Sequence, residues 1–442
     1  MGRDKKAISF LKGMIIFLIG IVVGLLLLTI VLNISDKKDP VAKHEINGDV
    51  VNQTTAEPVE VTTEDNFQPI TEEPTTEAIA TADNPEKEEK PANNAAADPN
   101  VEATLSKMSL HDKVCQMFVV TPEALTGFSQ VTEFGDTSKS SFDSYPVGGL
   151  IYFSQNIESE EQLKTMLTNT QSYAKEKTGI PVMLSVDEEG GSVARCADKI
   201  GSVPKLEPMF NYKDQGTEKA YDNAKTVAGY LKNLGFNMDF APIADTWTNP
   251  SNTVIGKRAY SDDYNQASEL VASAVKGYED TGIRCTLKHF PGHGDTAQDS
   301  HAGTATTSRT LEELSSGEYL PFKSGIDAGA GIVMVGHITV TSVTQEPASI
   351  SKDIVTGELR NKLGYDGVVV TDALNMGAIS NNYSSGEAAV KCIQAGDDLL
   401  LMPADFKASV SAVEEAVKSG TISEERINES VRRILKLKLK MQ

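Results

Sequence analysis

The chain has 442 residues and a formal net charge of −21, from 41 basic and 62 acidic side chains. That balance excludes a nucleic-acid partner, which needs a basic footprint to neutralise phosphates. The length suits two or three average domains or one large α/β barrel with extra segments. Four cysteines (Cys115, Cys196, Cys285, Cys392) stand far apart with no CxxC or zinc spacing, so they read as separate thiols.

Residues 1–13 carry Arg3, Lys5, Lys6 and Lys12. Residues 14–34 are 21 uncharged, mostly apolar positions, enough to cross a bilayer as a helix. The positive flank places 1–13 in the cytoplasm and everything after residue 34 outside it. A cleaved signal peptide fits less well, because the apolar run is long and Asn33-Ile34-Ser35-Asp36 offers no small-residue cleavage site. The reading is therefore an uncleaved signal anchor in the cell membrane. Residues 35–102 hold 5 basic and 17 acidic groups, a net −12, and are rich in Thr, Pro, Glu and Ala. Such a composition buries too little apolar surface to offset chain entropy, and a disordered tether is expected.

From residue 103 to 442 short apolar runs alternate with amphipathic stretches. The expected strands are Gln116–Val120, Leu150–Phe153, Val182–Asp187, Met238–Ala241, Cys285–Phe290, Ile332–Gly336, Val368–Asp372 and Leu399–Met402. Helical patterns cover Glu160–Lys177, Glu218–Leu234, Tyr264–Thr281, Leu311–Ala328, Lys352–Leu363, Gly386–Ala395, Asp405–Ser419 and Glu424–Leu439. Eight buried strands alternating with helices define an α/β fold, a TIM-type (β/α)8 barrel preceded by the membrane helix and the stalk. A doubly wound open sheet would announce a glycine-rich turn after its first strand, and none follows Val120.

Active sites of such barrels collect at the C-terminal ends of the strands. Here those ends carry Asp187, Glu188 and Glu189, then Asp239 and Asp245, then Lys288 and His289, then His337, then Asp372. Any one of these could be a helix cap or a loop ion pair; the recurrence at so many strand ends points to a ligand. Three of the six histidines fall in 289–301, in Lys288-His289-Phe290-Pro291-Gly292-His293-Gly294-Asp295-Thr296 and Asp299-Ser300-His301. A metal site could draw on His289, His293, Asp295, Asp299 and His301, although Pro291-Gly292 rules out a helical His pair. A phosphate loop lacks its GK[ST]. The third reading is an acid/base dyad, in which Asp299 orients and charges His301 for proton donation. Asp372 ends a continuous apolar strand, where a carboxylate can serve as a nucleophile or as a helix cap.

These motifs make residues 103–442 resemble a family 3 glycoside hydrolase of the β-N-acetylhexosaminidase branch that trims peptidoglycan. The resemblance rests on Val186-Asp187-Glu188-Glu189-Gly190-Gly191, Ile255-Gly256-Lys257-Arg258, the Lys288–Thr296 run with Asp299-Ser300-His301, and Thr371-Asp372-Ala373-Leu374-Asn375-Met376. It implies retaining, exo-acting hydrolysis of a terminal β-linked N-acetylglucosamine without metal or cofactor. Asp372 would be the nucleophile and His301, oriented by Asp299, the acid/base. Asp187, Arg195, Arg258, Lys288 and His289 would hold the sugar. The chain departs from the family at Ser192, where arginine is commoner, and after His301, where no proline follows; both bear on the leaving group. A carbohydrate substrate, a membrane attachment and a monomeric catalytic body are thus expected. A glycan-binding protein without turnover, a metal-dependent barrel hydrolase and a β-glycoside phosphorylase are the alternatives.

Overall fold

The computed structural model describes residues 98–296, 303 and 305–441. The expected cytoplasmic segment (1–13), membrane span (14–34) and most of the linker (35–97 of 35–102) lie outside the described residues, as do Asp299 and His301. Among the described residues no helix is long and apolar enough to cross a membrane. The first helix, α1 (Pro99–Leu105), is capped by the Asp98 side chain and has proline in its first turn. It starts N-terminal to the expected 102/103 boundary, and Glu102 binds Arg432 at 2.7 Å.

The eight expected strands all form, each within two residues of its expected start: β1 (Phe118–Val120), β2 (Gly149–Ile151), β3 (Met183–Val186), β4 (Met238–Asp239), β5 (Arg284–Phe290), β6 (Ile332–Val335), β7 (Val368–Thr371) and β8 (Leu400–Leu401). They pair in parallel in chain order from β1 to β7, and β8 pairs with β1. A bridge from Val370 to Leu399 joins the two ends, so the sheet closes into the barrel. Register is set by pairs such as Phe118↔Leu400, Leu150↔Leu184 and Val333↔Leu287. These residues are fully or almost fully buried, which is why the strands read as unbroken apolar runs.

Amphipathic helices surround the strands, among them α2 (Glu160–Thr178), α3 (Gly216–Leu234), α4 (Tyr264–Thr281), α5 (Tyr319–Asp327), α6 (Ser385–Ala395), α7 (Phe406–Lys418) and α8 (Glu424–Leu439). The single helix expected over Leu311–Ala328 is two, Leu311–Ser316 and α5. The break falls at Gly317, where the Tyr264 ring packs so closely that a Cβ would lie 2.9 Å from it. The stretch expected as helix over Lys352–Leu363 forms at Asp353–Lys362 with wide π-type turns. Two short helices between β1 and β2 (Pro122–Thr126, Asp136–Ser144) were not anticipated, nor were two small strand pairs beyond the strand ends. One pair is Glu188–Gly190 with Val193–Ala194, the other Ala305–Thr307 with Ile338–Val340. All four cysteines are free and buried.

Candidate active site

Asp187 follows β3 and Glu189 is two residues on, while Lys288 points from β5 and Arg258 comes from the long loop after β4. The structure brings these four together. Lys288 Nζ lies 2.7 Å from Asp187 Oδ1 and 2.6 Å from Glu189 Oε1. Arg258 grips Glu189 with both Nε and a terminal nitrogen at 2.8 Å and donates to the Val254 carbonyl. Burial alone would push the Glu189 carboxyl up, but the charges of Arg258 and Lys288 outweigh it and hold the group far below the usual carboxylate range. For Lys288 burial opposes the charge, yet Asp187 and Glu189 keep its ammonium above the ordinary lysine value. Both cations are therefore charged and fixed, which suits gripping a polyol.

His289 sits at the end of β5, anchored by Asp245. That carboxylate accepts the His289 ring Nδ1–H at 2.7 Å, the His289 backbone N–H at 3.1 Å and the His293 backbone N–H at 2.7 Å. Burial raises Asp245, but His289 and the hydrogen bonds bring it net below its usual range. With Nδ1 committed to the carboxylate, Nε2 is the nitrogen His289 turns to a ligand. The Pro291–Gly294 turn brings the next segment against its neighbours: Gly292 has φ +126°, and a Cβ on Gly294 would fall 1.7 Å from the Thr246 carbonyl oxygen. His293 shares a 2.6 Å hydrogen bond with Thr296, and burial holds its imidazole below the ordinary histidine value.

Asp372 follows β7, half-buried, with its amide on the Val335 carbonyl. Its Oδ1 accepts the Ala373 N–H at 2.8 Å, and its charge acts on His293. His337 braces the same turn, 3.0 Å from the Ala373 carbonyl through Nε2 and 2.7 Å from Ser349 Oγ through Nδ1. Arg195 stands apart from the ion cluster. Its guanidinium lies 5.8 Å from the centroid of the Phe153 ring, and its buried Nε has no hydrogen-bond partner among the described residues.

Other strand-end acids prove structural. Glu188 accepts the amides of Cys196 and Ala197 and the Tyr230 hydroxyl, and Asp239 accepts the Glu188 amide and the Tyr278 hydroxyl. Burial raises both carboxyl groups. Asp295 takes Thr307 and Arg309 on one oxygen. Among the described residues no three His, Cys, Asp or Glu side chains converge as a metal ligand set. A cavity of about 390 Å³ opens elsewhere, beside Gln116, Pro146 and Ile180, and none of the candidate residues lines it. The sequence placed Glu189 and Asp245 among the strand-end acids but gave neither a role in holding the sugar. The available signal for Glu189 was its place just past the apolar Met183–Val186 strand, two residues after Asp187.

The pattern described as the glycosyl hydrolase family 3 N terminal domain matches residues 109–437. The chain is 33% identical over 322 residues to Beta-hexosaminidase A of Pseudoalteromonas piscicida, covering 67% of this chain and 54% of that one. It is 31% identical over 341 residues to Beta-hexosaminidase LpqI of Mycobacterium tuberculosis, covering 75% and 83%. Among solved structures it is similar to a glycoside hydrolase family 3 beta-N-acetylglucosaminidase from Paenibacillus sp., with 38% identity and a TM-score of 0.71, covering 76% of this chain and 63% of that one. The chain thus spans about half the first relative's length and less than two thirds of the Paenibacillus chain. With the family pattern running through nearly the whole barrel, the chain belongs to glycosyl hydrolase family 3.

Proposed function

We propose that the protein is a retaining exo-β-N-acetylglucosaminidase acting on peptidoglycan fragments. The observation that carries this reading is the Asp187–Lys288–Glu189–Arg258 ion cluster on the same barrel face as Asp372. The cluster and His289 Nε2 bind the hydroxyls of a terminal sugar, leaving its anomeric carbon to Asp372. In the first step Asp372 attacks that carbon, the glycosidic bond breaks, and His301 gives its proton to the departing oxygen. In the second, His301 takes a proton from water, the water oxygen bonds the anomeric carbon, and the Asp372 ester breaks. Asp299 is assigned to orient His301. Beta-hexosaminidase and beta-N-acetylglucosaminidase names among the similar proteins support the sugar.

The 21 uncharged residues of 14–34 and the basic flank before them support a single-pass anchor, with the barrel outside the cytoplasmic membrane on the 35–102 tether. The test is release of nitrophenol from para-nitrophenyl N-acetyl-β-glucosaminide by the full-length chain in the presence of a chelator. Turnover that falls about 10³-fold or more in Asp372→Ala supports the reading. A folded chain without turnover sinks it, and so does an Asp372→Ala variant with undiminished rate.

A further inference from the structure

Asp299 and His301 belong to residues 297–302, and the described residues on either side of that run are tied to different parts of the barrel. On the N-terminal side, the Asn249 side-chain amide, from the loop after β4, donates to the carbonyls of Asp295 and Thr296 at 3.1 and 3.3 Å. On the C-terminal side, Ala305–Thr307 pairs in parallel with Ile338–Val340, and Ser342 Oγ donates to the Arg309 carbonyl at 2.7 Å. Side chains join the two sides. Thr307 Oγ1 donates to Asp295 Oδ2 at 2.7 Å, and Arg309 Nε lies 2.9 Å from the same oxygen. Arg309 Nε is also 3.0 Å from Oε1 of Glu318, which is 1% exposed just ahead of α5. The Glu318 side chain rests on the turn after β5, where a Cβ on Gly292 would lie 2.6 Å from its Cγ, and Tyr264 of α4 donates its hydroxyl to Glu318 Oε1. One nitrogen therefore serves two carboxylates. Their other oxygens, Asp295 Oδ1 and Glu318 Oε2, are buried with no hydrogen-bond partner among the described residues, where Arg309 is the only cation paired with either group. Without it two like charges would face each other, and their repulsion would push Asp295 from its place.

We propose that Arg309 is a positioning residue for the acid/base: by binding Asp295 ahead of the run and Glu318 on the barrel body, it fixes the two ends of the segment that presents His301 to Asp372. The inference rests on the glycosidase reading and adds to it a residue outside the motifs that carry it. Arg309 touches no reacting atom. Its effect falls on proton transfer, so it matters for a leaving group that needs a proton and little for one that departs as a stable anion.

The test measures kcat/KM of full-length wild type, Arg309→Met and Arg309→Lys on two N-acetyl-β-glucosaminides. One has a dinitrophenyl leaving group, and in the other, diacetylchitobiose, the leaving group is a sugar. Arg309→Met should stay within about twofold of wild type on the first and fall about tenfold or more on the second. Arg309→Lys recovers most of that loss, because an ammonium can reach both carboxylates from one nitrogen. Asp295→Asn weakens the same tie from its other partner and should show the same split. Equal losses on both substrates, or no loss on diacetylchitobiose, overturn the proposal, since a residue that only supports the fold would not distinguish the leaving groups. Hydrogen exchange read by mass spectrometry is the second measurement and needs no turnover. The peptide spanning 296–305 should exchange about tenfold faster in Arg309→Met while peptides from the barrel strands keep the wild-type rate, and an unchanged rate in 296–305 overturns the proposal. If wild type hydrolyses neither substrate, the glycosidase reading fails, and the exchange result alone decides whether Arg309 ties the run in place.

Discussion

Replacing Lys438 by methionine removes one buried charge from the barrel at nearly constant shape. The lysine is 1% exposed on α8, its Nζ donates to Gln116 Oε1 at 2.6 Å, and Gln116 donates on to the Pro146 carbonyl. Burial pushes its ammonium down from 10.5 to about 7. Between those values the unfolded chain holds a proton that the native chain has released, so native stability rises with pH across this window and is lost as pH falls toward 7. At about 1.4 kcal/mol per unit, the cost of the lysine grows by roughly 3.5 kcal/mol from about pH 10 to about pH 7. Methionine removes that dependence and also leaves Gln116 Oε1 without its donor, a constant penalty of about 1–3 kcal/mol. The stability difference between Lys438→Met and wild type should therefore move by roughly 3.5 kcal/mol in the variant's favour between those pH values, whatever the offset. Urea unfolding read by Trp247, the single tryptophan, measures it. A difference that does not change with pH would refute the reasoning. Gln116 and Pro146 precede β1 and β2, so Lys438 sits at the barrel end opposite the strand C-termini, and kcat/KM should stay within about twofold.

Glu189→Gln leaves Arg258 without its carboxylate and Lys288 with Asp187 alone. Unpairing a buried cation costs about 3–5 kcal/mol of stability, and kcat/KM should fall about 10²-fold; a wild-type urea midpoint together with a wild-type rate would count against the cluster. Asp245→Asn tests the anchor under His289. The folded carboxyl lies below its ordinary 3.8, so its stabilisation is complete above that value and disappears as pH falls below it. The variant should be less stable at neutral pH and show a shallower acid transition, and its KM should rise about tenfold through the loosened imidazole. An acid transition as steep as wild type's would show that Asp245 is not the titrating group.

The barrel was legible because parallel strands covered on both faces must be apolar throughout, and runs such as Gly367-Val368-Val369-Val370-Thr371 stand out between amphipathic helices. Asp136–Ser144 escaped notice because Phe142 is its one large apolar residue, so its sequence carries no helical period. The Glu188–Gly190 and Val193–Ala194 strands are too short and too polar to show alternation. Asp187, Lys288, His289 and Asp372 were readable from their places at strand ends. Asp245 lies 44 positions from His289, and only the closure of the barrel makes them partners. Arg195 was named only through the family resemblance, and nothing in the sequence showed Phe153 as its neighbour in the fold.

The central claim is that Asp372 forms a covalent bond to the sugar. The direct measurement is mass spectrometry of the full-length chain, digested after reaction with an N-acetylglucosaminide activated at its leaving group and slowed at the second step by a fluorine on the sugar. The account predicts a mass increase of one glycosyl unit on the peptide containing Asp372, absent in Asp372→Ala. Turnover with no adduct on any peptide, or an adduct on a different residue, would contradict it.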